Sequence, residues 1–193
     1  MRYFGSLIAI LSINLIMAQE DIIPYSEIPD YSDEYTAGTV AARMIDGLGF
    51  RYYWATDGLR DEDLKFKPSE EARTCAETID HILGLSEVIV NSTLNKVNLR
   101  GQEKPELTFE EKRTQTLINF KTAADDLRSS DDLANFTIVF KNSNGTTEFP
   151  FWNNINGPIA DAIWHCGQIV SFRRSSGNPY NSKASLFTGK LRE

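Results

Sequence analysis

Apolar residues recur at three- and four-residue intervals over four stretches of the chain, the spacing that places them on one face of a helix. The first stretch runs from about Tyr35 to Asp57, with Val40, Met44, Ile45, Leu48 and Tyr52 on its stripe. Gly47 and Gly49 fall inside it, and each disfavours a helix by roughly 1 kcal/mol relative to Ala. The second opens at Thr74, whose T-x-x-E pattern with Glu77 is a capping box, and continues to about Lys96 on Ile79, Ile82, Leu85, Ile89 and Leu94. Thr108 with Glu111 repeats that signature, opening a third helix that runs to about Arg128 with Leu117, Phe120, Ala124 and Leu127 inward. The fourth begins at Gly157-Pro158, carries Ile159, Ala162, Ile163, Cys166, Ile169 and Val170, and stops at Gly177-Asn178-Pro179.

Two β-prone runs, Phe136–Phe140 and Thr147–Phe151, flank Asn142-Ser143-Asn144-Gly145, and Asn-Gly between such runs signals a hairpin. The polar connector from Asp57 to Pro68 carries Leu59, Leu64 and Phe66, which are expected to pack back on the helices. The reading is an all-α fold, a four-helix bundle over residues 35–179 with a small β-hairpin inserted between helices 3 and 4. A lead-in over 20–34 precedes it, and a tail over 180–193 shows no pattern. At 193 residues the chain is expected to form one domain.

The first residues change the picture. Arg2 and the apolar run Phe4–Met17, too short to span a bilayer, followed by Ala18-Gln19 and the acidic Glu20-Asp21, read as a signal peptide over 1–19. An uncleaved interfacial anchor is the alternative. The mature protein is therefore expected to be exported, periplasmic or extracellular, with no membrane span. Its net charge of −7 argues against nucleic acid as a partner. Export permits a disulfide, yet Cys75 and Cys166 both fall on apolar stripes, where a free cysteine packs as a small buried residue. Asn91, Asn135 and Asn144 each begin an N-x-Thr sequon, relevant only in a eukaryotic secretory pathway.

The chain has two histidines, His81 and His165, and each stands mid-helix with a carboxylate four residues earlier, Glu77 and Asp161. Residues at i and i+4 share a helix face, so two such faces turned together would offer nitrogen and oxygen ligands to a first-row metal. The plain reading is two hydrogen-bonded, partly buried histidines. Against it, an unpartnered imidazole or carboxylate on an apolar face is costly, and Asp161 sits among Ile159, Ala162 and Ile163. Glu77 already has a role in its capping box. His81, Asp161 and His165 are therefore the metal candidates. Glu77 and Gln168 are candidates for a fourth ligand or for a group that orients the ligands.

The run Thr78-Ile79-Asp80-His81-Ile82, followed far downstream by Asp161-Ala162-Ile163-Trp164-His165-Cys166-Gly167-Gln168-Ile169, resembles the DinB-like (DinB/YfiT-type) family of metalloenzymes. Gly58-Leu59-Arg60-Asp61-Glu62-Asp63, Phe172-Arg173-Arg174 and Ser176-Gly177-Asn178-Pro179 are similar to the family's context, over roughly Val40 to Pro179. The resemblance implies a four-helix bundle holding a divalent metal on three histidines, one from the second helix and an H-x-x-x-H pair from the last. His81 matches the first and His165 the last, while Asp161 stands where the family has its remaining histidine. Two imidazoles and one carboxylate suit zinc or nickel, and also manganese or iron.

Such a site implies a metal-dependent hydrolase or thiol S-transferase acting on a small molecule, with catalytic residues beyond the ligands unassigned. The rival readings are a non-catalytic metal-binding protein and a bundle whose site is vestigial. A homodimer is left open. Trp164 is expected to pack in the core. Cys166, one residue past His165, points about 100° away from it and is poorly aimed as a nucleophile.

Overall fold

The structure is a computed structural model that describes residues 23–102 and 105–193. The expected signal peptide lies outside the described residues. Helix α1 (Ala37–Thr56) starts at Thr36, whose hydroxyl accepts from the Thr39 amide. A short α2 (Asp61–Lys65) forms within the connector. Helices α3 (Cys75–Thr93) and α4 (Phe109–Arg128) open at the two expected capping boxes, with Glu77 and Glu111 returning bonds to the Thr74 and Thr108 amides. Each box satisfies two backbone N–H groups that a helix start leaves open.

Helix α3 ends at Thr93, short of the expected Lys96. Asn95 takes a left-handed conformation (φ 53°), and the Lys96 amide bonds back to the Asn91 carbonyl at 2.7 Å, the closure of a Schellman-type C-cap. The chain leaves this cap as a strand, β1 (Val97–Leu99). Strand β1 pairs in parallel with β2 (Ile138–Asn142), which pairs antiparallel with β3 (Gly145–Phe149) through Ile138↔Phe149 and Asn142↔Gly145. The expected hairpin is therefore present, its two strands lying two residues closer to the turn than the β-prone runs, and it is extended by a third strand. Parallel partners distant in sequence give no local turn signal, which is why β1 is invisible in the apolar pattern.

Residues from Trp152 are already helical. The three-residue α5 (Trp152–Asn154) passes into a wide turn over Ile155–Ile159, where Gly157 departs from helical angles and Pro158 contributes no N–H, and then into α6 (Ala160–Ser175). Helix α1 packs on α4 and α6, and α3 packs on the same two. Ile45, Leu48 and Tyr52 of α1, Ile79, Ile82 and Ile89 of α3, Leu117, Phe120 and Leu127 of α4, and Ile159 and Ile169 meet in one buried core. The protein is thus mostly helical with a small strand region.

The α1 face differs from expectation at Val40 and Met44, which are exposed. The small residues Gly38, Ala41 and Ala42 face inward instead. At Gly38 a Cβ would lie 2.3 Å from the Leu127 carbonyl oxygen, so α1 and α4 approach along a small-residue stripe that leaves the larger side chains outside. Leu94, past the end of α3, is likewise exposed. Buried Asp46 accepts from Arg128 and from the Tyr25 hydroxyl, tying α1 to α4 and to the lead-in; burial pushes its carboxyl above the usual range, with Arg128 opposing.

The lead-in and tail also belong to the fold. A second buried cluster joins Ile28, Phe50, Trp54 and Ala184, and the tail folds as β4 (Ala184–Ser185) against β5 (Lys190–Leu191). The Ile28 amide donates to the Gly189 carbonyl at 2.9 Å. Gly189 has φ +70°, and a Cβ there would strike Ile28, so this junction requires glycine. Cys75 and Cys166 are both buried and free. Among the described residues no helix is long and apolar enough to cross a membrane.

Candidate metal centre

His81 comes from the second turn of α3, and Asp161 and His165 from the first turns of α6. The capping box at Thr74 sets where α3 begins, and the wide turn at Gly157-Pro158 sets the phase in which α6 presents its inner face. On that face the His81 Nε2 lies 3.1 Å from Asp161 Oδ2, and the His165 Nε2 lies 3.2 Å from Asp161 Oδ1. The two imidazole rings stand edge to face, 4.6 Å between centroids. One ligand atom from each residue falls within 4.8 Å of the others. The two short separations reach different Asp161 oxygens and are also hydrogen-bond distances, and the three groups are close enough to share one ion with small adjustments.

Hydrogen bonding argues in the same direction. The Gln168 amide oxygen stands 2.8 Å from His165 Nδ1, and in the neutral tautomer whose Nδ1–H donates to it, Nε2 is left with its lone pair. That lone pair faces a carboxylate oxygen. Two acceptors 3.2 Å apart repel unless a proton or a cation lies between them. Gln168 therefore occupies the role of an orienting group: it holds the tautomer and ring angle that a ligating histidine needs.

Access is one-sided. The side chains of Asp161 and His81 are 40% and 32% exposed, whereas His165 is 13% exposed. Water or a small substrate can reach the cluster from the Asp161 side. Glu77 is placed elsewhere in role: its carboxylate accepts from the Thr74 backbone N–H and hydroxyl, which together hold it below the usual carboxylate range. It completes the cap and is not in the three-residue cluster.

Trp164 is 72% exposed, a correction to the expected core role. The buried stripe of α6 runs through Ala162, Cys166 and Ile169, and Trp164 projects from the far side of the helix. Burial pushes the Cys166 and Cys75 thiols up to about 12, so both stay protonated at neutral pH and neither supplies a thiolate.

The segments around Arg60–Asp63 and Arg173–Asn178 also converge, but into a different kind of cluster. Buried Asp63 accepts from Arg60 Nε and Nη2 at 2.9 Å, the Arg60 amide at 2.8 Å, Ser176 Oγ at 2.5 Å and Asn178 Nδ2 at 2.7 Å. These donors hold its carboxyl well below the usual range, Arg60 first among them. Buried Arg173 donates to the carbonyls of Trp54, Ala55, Asp57 and Asn178. The cluster ties the ends of α1 and α6 to α2. Sequence patterns single out these residues without revealing this structural role.

Comparisons of the chain with protein families, with curated proteins and with solved structures each returned no match.

Proposed function

We propose that the protein is an exported metal-dependent hydrolase of small molecules, built as a DinB-like four-helix bundle, with one divalent ion held by His81, Asp161 and His165. The convergence of these three side chains, drawn from positions 80 residues apart, carries the reading. The mutual packing of α1, α3, α4 and α6 supports the bundle, and the signal-like start of the sequence supports export. Two imidazoles and a carboxylate favour zinc or nickel, with manganese or iron also compatible. Such an ion lowers the pKa of a bound water toward neutrality. Asp161 and His81 supply the exposed side of the cluster, from which water reaches it. Gln168 fixes His165. Hydrolysis is favoured over thiol transfer because both of the chain's own thiols are buried and protonated, so thiol chemistry needs a co-substrate.

The test is elemental analysis of untagged protein, with zinc titration calorimetry on wild type and on the His81→Ala, Asp161→Asn and His165→Ala variants. One ion per chain in wild type and weaker binding in all three variants are expected. Asp161→His should retain or strengthen zinc binding. Equal affinity across wild type and the three weakened variants overturns the site. Metal binding without metal-dependent cleavage of a panel of small esters, amides and lactams overturns the hydrolase and leaves a metal-binding protein.

A further inference from the structure

The side of α6 turned away from His165 borders a separate cleft. It has a volume of about 290 Å3 and lies between α6, the end of α1 and the C-terminal tail. Its walls are mostly apolar: Trp54 and Ala55 from α1, Ile163, Cys166 and Val170 from α6, and Leu186 from the tail. On the α6 wheel these positions centre roughly opposite Asp161 and His165. The tail is held in place by its β4–β5 pairing and by the Ile28–Gly189 bond, so this wall is preformed.

Two cations line the same cleft, Arg51 and Arg174. The Arg51 Nη1 donates to the Gly47 carbonyl at 2.8 Å, and the Arg174 guanidinium lies 5.4 Å from the centre of the Tyr180 ring. Neither forms an ion pair among the described residues. In a chain with 27 acidic and 20 basic residues, two guanidinium groups beside an apolar slot and without a carboxylate mark a local reversal of charge. Guanidinium forks favour carboxylate, and the slot favours a hydrocarbon body.

We propose that this cleft binds an apolar monocarboxylate of medium-chain fatty-acid size, its chain among Trp54, Ile163 and Val170 and its carboxylate at Arg51 and Arg174. The volume falls just below the about 300–1,000 Å3 typical of small-molecule sites, which limits the ligand to a small one. The inference is independent of the metal reading, because the two sites occupy opposite sides of α6.

Gly167 provides the test. It lines the cleft, and a Cβ added there meets nothing within 4 Å, so Gly167→Leu starts unhindered, brings apolar bulk to the cleft and improves helix propensity. Decanoate, kept below its micelle concentration, is titrated by calorimetry into wild type, Gly167→Leu, Arg51→Gln and Arg174→Gln, with decanol as the uncharged probe. Saturable one-to-one decanoate binding is expected in wild type. Gly167→Leu should lose it, each arginine variant should weaken it about tenfold or more, and decanol should bind wild type at least tenfold more weakly than decanoate. Zinc affinity should hold in Gly167→Leu, and its melting temperature should not fall. Absence of saturable decanoate binding to folded wild type overturns the proposal, as does equal affinity in Gly167→Leu. Equal binding of decanol and decanoate overturns the arginine role.

Discussion

Two polar clusters in this protein are assembled from segments far apart in sequence, and they differ in how completely their polar atoms are satisfied. Around Asp63 both carboxylate oxygens are covered by donors from Arg60, Ser176 and Asn178, and the carboxylate itself is out of contact with solvent. Around Asp161 the carboxylate meets two imidazoles, one of which is held by Gln168 through its other nitrogen, and the group stays open to water. The first cluster has committed its hydrogen-bonding capacity to the protein and can do little except hold α1, α2 and α6 together. The second retains capacity for a cation. Saturation, rather than the number of charged residues, separates the structural cluster from the candidate site.

That contrast breaks most sharply at Asp63. Asp63→Ala removes the buried acceptor that the part-exposed Arg60, Ser176 and Asn178 share and should cost about 1–3 kcal/mol, lowering Tm on the order of 5 °C, with zinc affinity of the folded fraction unchanged. Thermal unfolding with and without zinc measures both. His165→Ala should show the reverse pattern. It should leave metal-free stability nearly unchanged while abolishing the zinc-induced rise in Tm that follows from mass action. Gln168→Leu removes only the orienting bond and should weaken zinc binding about 10–100-fold without abolishing it, as calorimetry would show.

Acid separates the clusters in a further way. Asp63 is held below its unfolded value, so its contribution is fully present above the ordinary aspartate range, about 3.9, and is lost as pH falls through that range toward its folded value. The stability difference between wild type and Asp63→Asn in urea should therefore be constant near neutrality and shrink below about pH 4. The zinc-induced increment should disappear earlier, below about pH 6, where free imidazole takes up a proton. Glu77→Gln should have the smallest effect. It weakens a cap, lowers Tm slightly and leaves zinc affinity alone, and a loss of zinc affinity there would place Glu77 among the ligands.

Much of the helical framework is legible in the sequence because its signals are local. Thr74 with Glu77 and Thr108 with Glu111 lie within one turn, so the residues that start α3 and α4 declare themselves. The trio His81, Asp161 and His165 is legible for a related reason: helical spacing already puts Asp161 and His165 on one face, and an inward histidine on α3 needs a partner. Strand β1 is not legible, since its partner β2 begins some forty residues later and pairs in parallel. Nor is the exposure of Trp164, Val40 and Met44, because periodicity identifies an apolar face without saying which neighbour approaches or how closely.

Taken alone, the amino-acid order determined where α3 and α4 start, that four stretches carry an apolar helical stripe, and that both histidines share a turn with a carboxylate. These follow from caps and from the 3.6-residue repeat, interactions that span four residues or fewer. Only the tertiary structure decided that Arg60–Asp63 and Arg173–Asn178 close into one cluster around buried Asp63, and that the tail returns to Ile28. Each of those outcomes depends on the distance and phase between elements. Close approaches such as Gly38 against the Leu127 carbonyl set them, and such packing is a property of two surfaces at once.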